Sequence, residues 1–414
     1  MKVFTPPPDK SITLRALLLG AIADGTARVE KPLYCEDTEA AIACLKQLGV
    51  RVCRDGGALI VEGHGLKGLK KPDGPLNAGE SGTLARLLAG ILAGQAFPSE
   101  LTGRGTLLNR PMAPVAAALA RLGAKIRTNK DRLPLLIRPA KLKGRKISGV
   151  TSAQIKSALL LAGLYAAGET EVKEPTPTRD HTERLLALLG ADIASRGRST
   201  VIKPGQLTAR PLNVPGDISS AAPFIAAALL SENTIVIKAC GLNPARLGFV
   251  SALEKMGAGI KFKIAETFPE PYGEIEVRPS ALKSAKFGAG EIPAMIDEIP
   301  LLAVLAGRAR GTTVITGIEG LRAKESDRLE ATLALLACLG VKAAYKKGRL
   351  AVTGAKRFKA VSPVDPRDDH RIAMAAAAAS AACPDLKIKN PGCVNKSYPG
   401  FWKDFKKVFS LSFS

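Results

Sequence analysis

The 414-residue sequence predicts an α/β fold of two domains, each built from three βαβαββ repeats, with the functional site in the cleft between them. Three observations carry this prediction. A capped apolar helix recurs six times, a second helix ending in Leu-Gly or Met-Gly recurs out of phase with it, and Pro/Gly-marked crossing points divide the six copies into three and three.

The first helix begins in DKSITLRALLLGA, where the capping Asp9 and the cation Lys10 lead into a continuous apolar run. The same design returns in SGTLARLLAGILA from Ser81, SAQIKSALLLAGLYA from Ser152 and ISSAAPFIAAALL from Ile218. It closes with IDEIPLLAVLAG from Ile296 and DDHRIAMAAAAASAA from Asp368. Helix starts at about 10, 81, 152, 218, 297 and 369 are separated by 71, 71, 66, 79 and 72 residues. Each reads as a buried helix whose exposed feature is its N-terminus, and helix N-termini attract anions through free N–H groups and the dipole. Lys10, Arg15, Arg86, Lys156 and Arg371 lie in or beside those first turns, so the repeats predict an anion site.

The second mark is QLGVRV at Gly49, RLGAKI at Gly123, LLGADI at Gly190, KMGAGI at Gly257 and CLGVKA at Gly340. A Gly after an apolar helix end takes the left-handed cap position, and the β-branched residues that follow start a strand. Pro/Gly-marked segments at 5–9 and 214–217 are the expected crossings. The expected domains are therefore 9–216, and 1–8 together with 217–414.

Composition narrows the function. At 46% hydrophobic and 23% charged residues the chain reads as globular, and no apolar run is long enough for a membrane span. Met1 leads directly into a strand-like start, so a cytoplasmic protein is expected. Seven cysteines without CxxC spacing point to reduced thiols, and with three histidines neither a metal nor a cofactor is expected. The net charge of +23 is spread along the chain and aromatics are only 4%, which argues against nucleic-acid binding and for anionic small molecules plus solvated surface. The densest chemistry is LRAKESDRL at 321–329, where Asp327 can cap a helix and Lys324 and Arg328, four apart, share a face. Read alone it is equally a solvated helix entry. Beside IDE at 296–298 and DDHR at 368–371 it becomes the third charged opening in consecutive repeats.

These motifs, together with ESGTLAR at 80–86, NRP at 109–111, TRDHTE at 178–183 and GDISSAA at 216–222, resemble the 5-enolpyruvylshikimate-3-phosphate synthase family of enolpyruvyl transferases over nearly the whole chain. The resemblance implies a two-domain inside-out α/β barrel that moves the enolpyruvyl group of phosphoenolpyruvate to the 5-hydroxyl of shikimate 3-phosphate and releases phosphate. It implies that Lys10, Ser11, Arg15, Ser152, Gln154, Arg179, Asp297 and Lys324 hold shikimate 3-phosphate. It further implies that Lys10, Gly82, Arg110, Gln154, Arg328, Arg371 and Lys396 hold phosphoenolpyruvate. Asp297 is the implied base and Glu325 the acid, with Lys10 shuttling a proton or steadying the leaving phosphate. His370 matches a family His beside a substrate Arg, and a structural hydrogen-bonding role stands equally open. Each substrate carries a phosphate of about −1.5 to −2 and a carboxylate, so this many cations suits the load.

The chain departs from the family's pattern at Pro8, Leu14 and Glu80. Two rival readings remain: a UDP-N-acetylglucosamine enolpyruvyl transferase, whose loop cysteine has no counterpart in GRGTLLNR at 103–110, and a basic nucleic-acid-binding protein on the same repeats. The two phosphorylated acids are the expected partners, with no nucleic acid, no membrane and a monomeric chain.

Overall fold

The computed structural model describes residues 1–231 and 233–410. Contacts divide the chain into an inserted unit, Pro8–Val214, and a split unit, Met1–Pro7 with Pro215–Ser414. These boundaries fall inside the crossing segments 5–9 and 214–217, one and two residues before the limits 9 and 216.

In the inserted unit three helices, Lys10–Ile22, Gly82–Leu92 and Ala153–Gly163, are buried along almost their entire length and pack on one another. Small and branched side chains on every face allow this, since a helix apolar all round must lie inside. Three four-stranded sheets belong to this unit, and their strand orders are alike. They run Leu212–Asn213, Asp24–Glu30, Ala58–His64, Arg51–Asp55; then Leu76–Asn77, Ser99–Thr102, Arg132–Arg138, Lys125–Asn129; then Lys146–Ser148, Thr170–Lys173, Ser199–Ile202, Ile193–Arg196. In each the first pair is parallel and the others antiparallel.

The split unit repeats the plan around Ile218–Leu230, Ile299–Ala306 and His370–Ser380, which also pack mutually. Its first sheet is closed by the chain's own start, because Lys2–Phe4 pairs in parallel with Ile235–Gly241 ahead of Tyr272–Arg278 and Gly259–Glu266. A second sheet runs Lys286–Phe287, Thr312–Thr316, Arg349–Thr353, Ala343–Lys346. The sixth copy differs: among the described residues it contributes only a parallel bridge between Val364 and Ile388. It is also the copy without a Leu-Gly or Met-Gly mark, and in place of a second helix and hairpin it ends in a 3-10 turn, Pro391–Lys396, and the helix Phe401–Phe409. That helix sets Phe401, Phe405 and Phe409 around Phe224, whose other side stacks on Phe4 at 3.8 Å.

Local signals act as expected. Asp9, Ser81, Ser152, Asp217 and Asp369 each cap a central helix with a side-chain oxygen. Gly49, Gly123, Gly190, Gly257 and Gly340 all have φ between 66° and 96°, where a Cβ would be strained. The fifth central helix is the exception. It lacks a side-chain cap and is preceded by the 3-10 turn Ile296–Glu298, so Asp297 is left outside the helix. All seven cysteines are free thiols, and burial pushes Cys44 up to about 12.

Candidate active site

In the inserted unit the first central helix presents half-buried Lys10 and Ser11 at its N-terminus. Lys10 Nζ is held by Asp37 Oδ2 at 2.9 Å. Arg15, one turn in, is only 4% exposed. Its guanidinium donates to Thr182 Oγ1 at 2.8 Å, to Ser157 Oγ at 3.1 Å and to the Ser11 carbonyl at 3.0 Å. Ser152 caps its helix by accepting from Ile155 N at 3.5 Å. Gln154 bridges, accepting from Arg86 Nη1 at 2.7 Å and donating to Thr83 Oγ1 at 2.9 Å. Arg86 also donates to the carbonyl of Pro111, next to Arg110.

Gly82 explains this crowding. A Cβ there would lie 2.7 Å from Arg86 Nη1 and 2.8 Å from Arg110 Nη1, so any larger residue would make the two guanidinium ends shift from over the helix start. Gly82, Arg110 and Gln154 are thus gathered as one cationic cluster with Arg86, a first-turn cation expected from the repeats, and Thr83 joins it unassigned by sequence. Arg179 is half-buried and precedes Asp180 at the start of the helix His181–Leu188.

Lys156 corrects a sequence expectation. Its position in a helix's first turns suggested an anion-site cation, yet it is 2% exposed and paired with Glu174 at 2.9 Å and Glu183 at 2.7 Å. It faces inward because position 156 lies on the buried side of the helix, where only paired charge is tolerated.

In the split unit the charged openings converge on one guanidinium. Arg328 is buried, with Nε on Asp369 Oδ2 at 2.8 Å, Nη1 on Asp297 Oδ1 at 3.0 Å and Nη2 on Glu325 Oε2 at 2.5 Å. Burial works against its charge, but attraction to Asp369, Glu325 and Asp297 prevails and raises its pKa further. Lys324 Nζ reaches the same Asp297 oxygen at 3.4 Å. Lys324 and Arg328 therefore meet on Asp297 and do not share a helix face, since the helix begins only at Arg328, capped by Asp327 through Leu329 N and Glu330 N.

Asp369 links this centre to Arg371: its Oδ1 accepts from Arg371 N at 2.9 Å, and Arg371 Nη1 donates to the Ser219 carbonyl at 2.9 Å. Ser219 in turn donates to Glu298, neighbour of Asp297, and accepts from buried Arg246. His370 is buried at the same helix start, and half-buried Lys396 ends a 3-10 turn that packs on that helix.

Sequence reasoning missed Asp37, Thr182, Ser157, Arg246 and Glu298 as partners of the assigned residues. TRDHTE and GDISSAA flagged the neighbourhood of Thr182 and Ser219, but nothing in CEDTE marks Asp37 as facing Lys10. Of the departures, Leu14 is wholly buried in the core, and Glu80 turns to the 105–109 loop, accepting from Thr106 Oγ1 at 2.7 Å and Thr106 N at 3.3 Å.

The arrangement can do acid–base chemistry on an anion. One arginine fixes three carboxylates on separate nitrogens, two of them partly exposed, and a lysine touches one of those two.

The EPSP synthase (3-phosphoshikimate 1-carboxyvinyltransferase) family model matches residues 2–405. A 3-phosphoshikimate 1-carboxyvinyltransferase of Desulforudis audaxviator (strain MP104C) is 44% identical over 403 residues, covering 95% of this chain and 94% of the relative. That of Bacillus subtilis (strain 168) is 40% identical over 413 residues, covering 98% and 96%. The solved EPSP synthase of Acinetobacter baumannii superposes with a TM-score of 0.84 at 36% identity, covering 98% of this chain and 95% of that one. A family model matched along almost the full length and relatives at 40–44% identity over more than nine-tenths of both chains settle the family: the chain belongs to the EPSP synthase family.

Proposed function

We infer that the protein transfers the enolpyruvyl group of phosphoenolpyruvate to the 5-hydroxyl of shikimate 3-phosphate, releasing inorganic phosphate, on the route to aromatic amino acids. The observation that carries this reading is Arg328 holding Asp297 and Glu325 beside Lys324. Lys10, Ser11, Arg15, Ser152, Gln154 and Arg179 of the inserted unit, with Asp297 and Lys324, bind shikimate 3-phosphate. Lys10, Gly82, Arg110, Gln154, Arg328, Arg371 and Lys396 bind phosphoenolpyruvate.

Asp297 takes the proton of the acceptor hydroxyl as its oxygen bonds to C2 of phosphoenolpyruvate, and Glu325 protonates C3, giving a tetrahedral ketal. In the second step the new methyl returns its proton to Glu325 as the C2–O bond to phosphate breaks, restoring the enol ether, and the proton held by Asp297 leaves with the phosphate. Lys10 assists by balancing the leaving phosphate. The protein acts as a monomer in the cytoplasm.

A phosphate-release assay tests the reading, with phosphoenolpyruvate and either shikimate 3-phosphate or UDP-N-acetylglucosamine. Release with shikimate 3-phosphate alone is expected, and release only with the nucleotide sugar overturns it.

A further inference from the structure

Lys156 sits in the helix that carries Ser152 and Gln154, and its ammonium touches one short segment three times. Nζ donates to Glu174 Oε2 at 2.9 Å and to the Thr178 carbonyl at 3.4 Å, and pairs with Glu183 Oε1 at 2.7 Å. Glu174 Oε1 then accepts from Thr178 N at 3.2 Å and from Thr178 Oγ1 at 2.5 Å. These contacts pin the connection between the strand Thr170–Lys173 and the helix His181–Leu188 at its entry, at Thr178 and in the following helix. Arg179 is the next residue after Thr178.

A second tie joins the same two helices alongside the first, one residue after Lys156 and one before Glu183. Ser157 and Thr182 hydroxyls lie 2.7 Å apart and both bond the guanidinium of Arg15. Three elements that carry substrate residues are thus fastened side by side through buried polar groups.

Stability alone does not account for such a cluster. A buried ion group is often no more stabilising than apolar side chains of the same volume, since desolvation offsets the attraction. What it supplies is direction, because each bond fixes a particular backbone point.

We propose that Lys156 is a positioning residue for shikimate 3-phosphate: it holds the Arg179 segment in register with Ser152 and Gln154. The proposal rests on Arg179 being a ligand of that substrate. An error of about 1 Å in such a group can cost two orders of magnitude, so a loosened segment weakens this substrate specifically.

The test is steady-state kinetics with both substrates varied. Arg179→Ala checks the ligand assignment and raises KM for shikimate 3-phosphate. Lys156→Met, and the neutral variant Lys156→Met/Glu174→Gln/Glu183→Gln that leaves no unpaired buried charge, raise that KM roughly 10-fold or more. KM for phosphoenolpyruvate and kcat stay within about threefold, and neither variant adds to the loss in Arg179→Ala, because coupled groups are not additive. Normal affinity in the folded neutral variant, losses that simply add to Arg179→Ala, or equal losses for both substrates overturn the positioning role while the ligand assignment stands. Normal affinity in Arg179→Ala itself overturns both.

Discussion

Two buried cations, one in each unit, invite comparison. Lys156 and Arg328 both have side chains 2% exposed, and both are outnumbered by carboxylates. The Lys156 cluster is sealed, with Glu174 and Glu183 side chains 6% and 8% exposed. The Arg328 cluster is sealed on one side only: Asp369 is at 0%, but Asp297 and Glu325 are at 16% and 17%. Residue chemistry follows the difference. A lysine is a compact charge that can tie together whatever surrounds it, whereas the arginine fork sends separate N–H groups in fixed directions, one to an anchor and two to groups that reach solvent. The same buried charge is a fastening in one unit and a presenter of partly exposed carboxylates in the other.

Removing the presenter is the most severe challenge to this view. Arg328→Met leaves Asp369, Asp297 and Glu325 without their shared cation, and a loss of about 3–5 kcal/mol in denaturant unfolding is expected together with loss of turnover. Wild-type stability would show that the buried arginine anchors nothing. Asp297→Asn and Glu325→Gln sharpen the comparison, since groups that act chemically lower turnover by roughly 10² or more while the melting transition stays in place. Near-normal turnover in both variants removes them from the acid and base roles.

A smaller effect is expected at Gly82→Ala. The added Cβ pushes on Arg86 and Arg110, and KM for phosphoenolpyruvate rises about fivefold, on the order of 1 kcal/mol. An unchanged KM means the two guanidinium groups swing aside freely.

The mildest change is Glu183→Gln in the sealed cluster. Burial raises the Glu183 pKa above its ordinary 4.5, with Lys156 opposing and Asp180 adding to the shift. A carboxyl whose folded pKa is raised favours folding below its unfolded pKa, and that advantage is lost as pH rises through the folded pKa. Glu183→Gln therefore raises the melting temperature at pH 8, and the gain fades towards pH 4. A melting loss at pH 8 shows that the ion pair outweighs the burial penalty.

Periodicity made much of the molecule legible. Five of the six helix caps and all five left-handed glycines follow from residue type and spacing, because both depend on local backbone sterics and a single side-chain hydrogen bond. The convergence of 296–298, 321–329 and 368–371 was also readable, as three charged openings in apolar surroundings. Direction was not. Position 156 looked like Lys10, a cation in a capped first turn, and only the packing of the helix decides that Lys10 stays 21% exposed beside Asp37 while Lys156 is buried. Asp37 and Arg246 lie far in sequence from what they hold, so spacing carries no trace of them.

The strand Lys2–Phe4 finds its partner only at Ile235–Ile237. During synthesis at about 5–20 residues per second, the first residues to leave the ribosome therefore wait roughly 10–50 s for that partner, while the unit encoded between them has time to fold. The opening of the gene is thus used only after the inserted unit is complete, and a change at residues 2–4 is expected to slow the completion of the later-made unit while sparing the one that follows it directly.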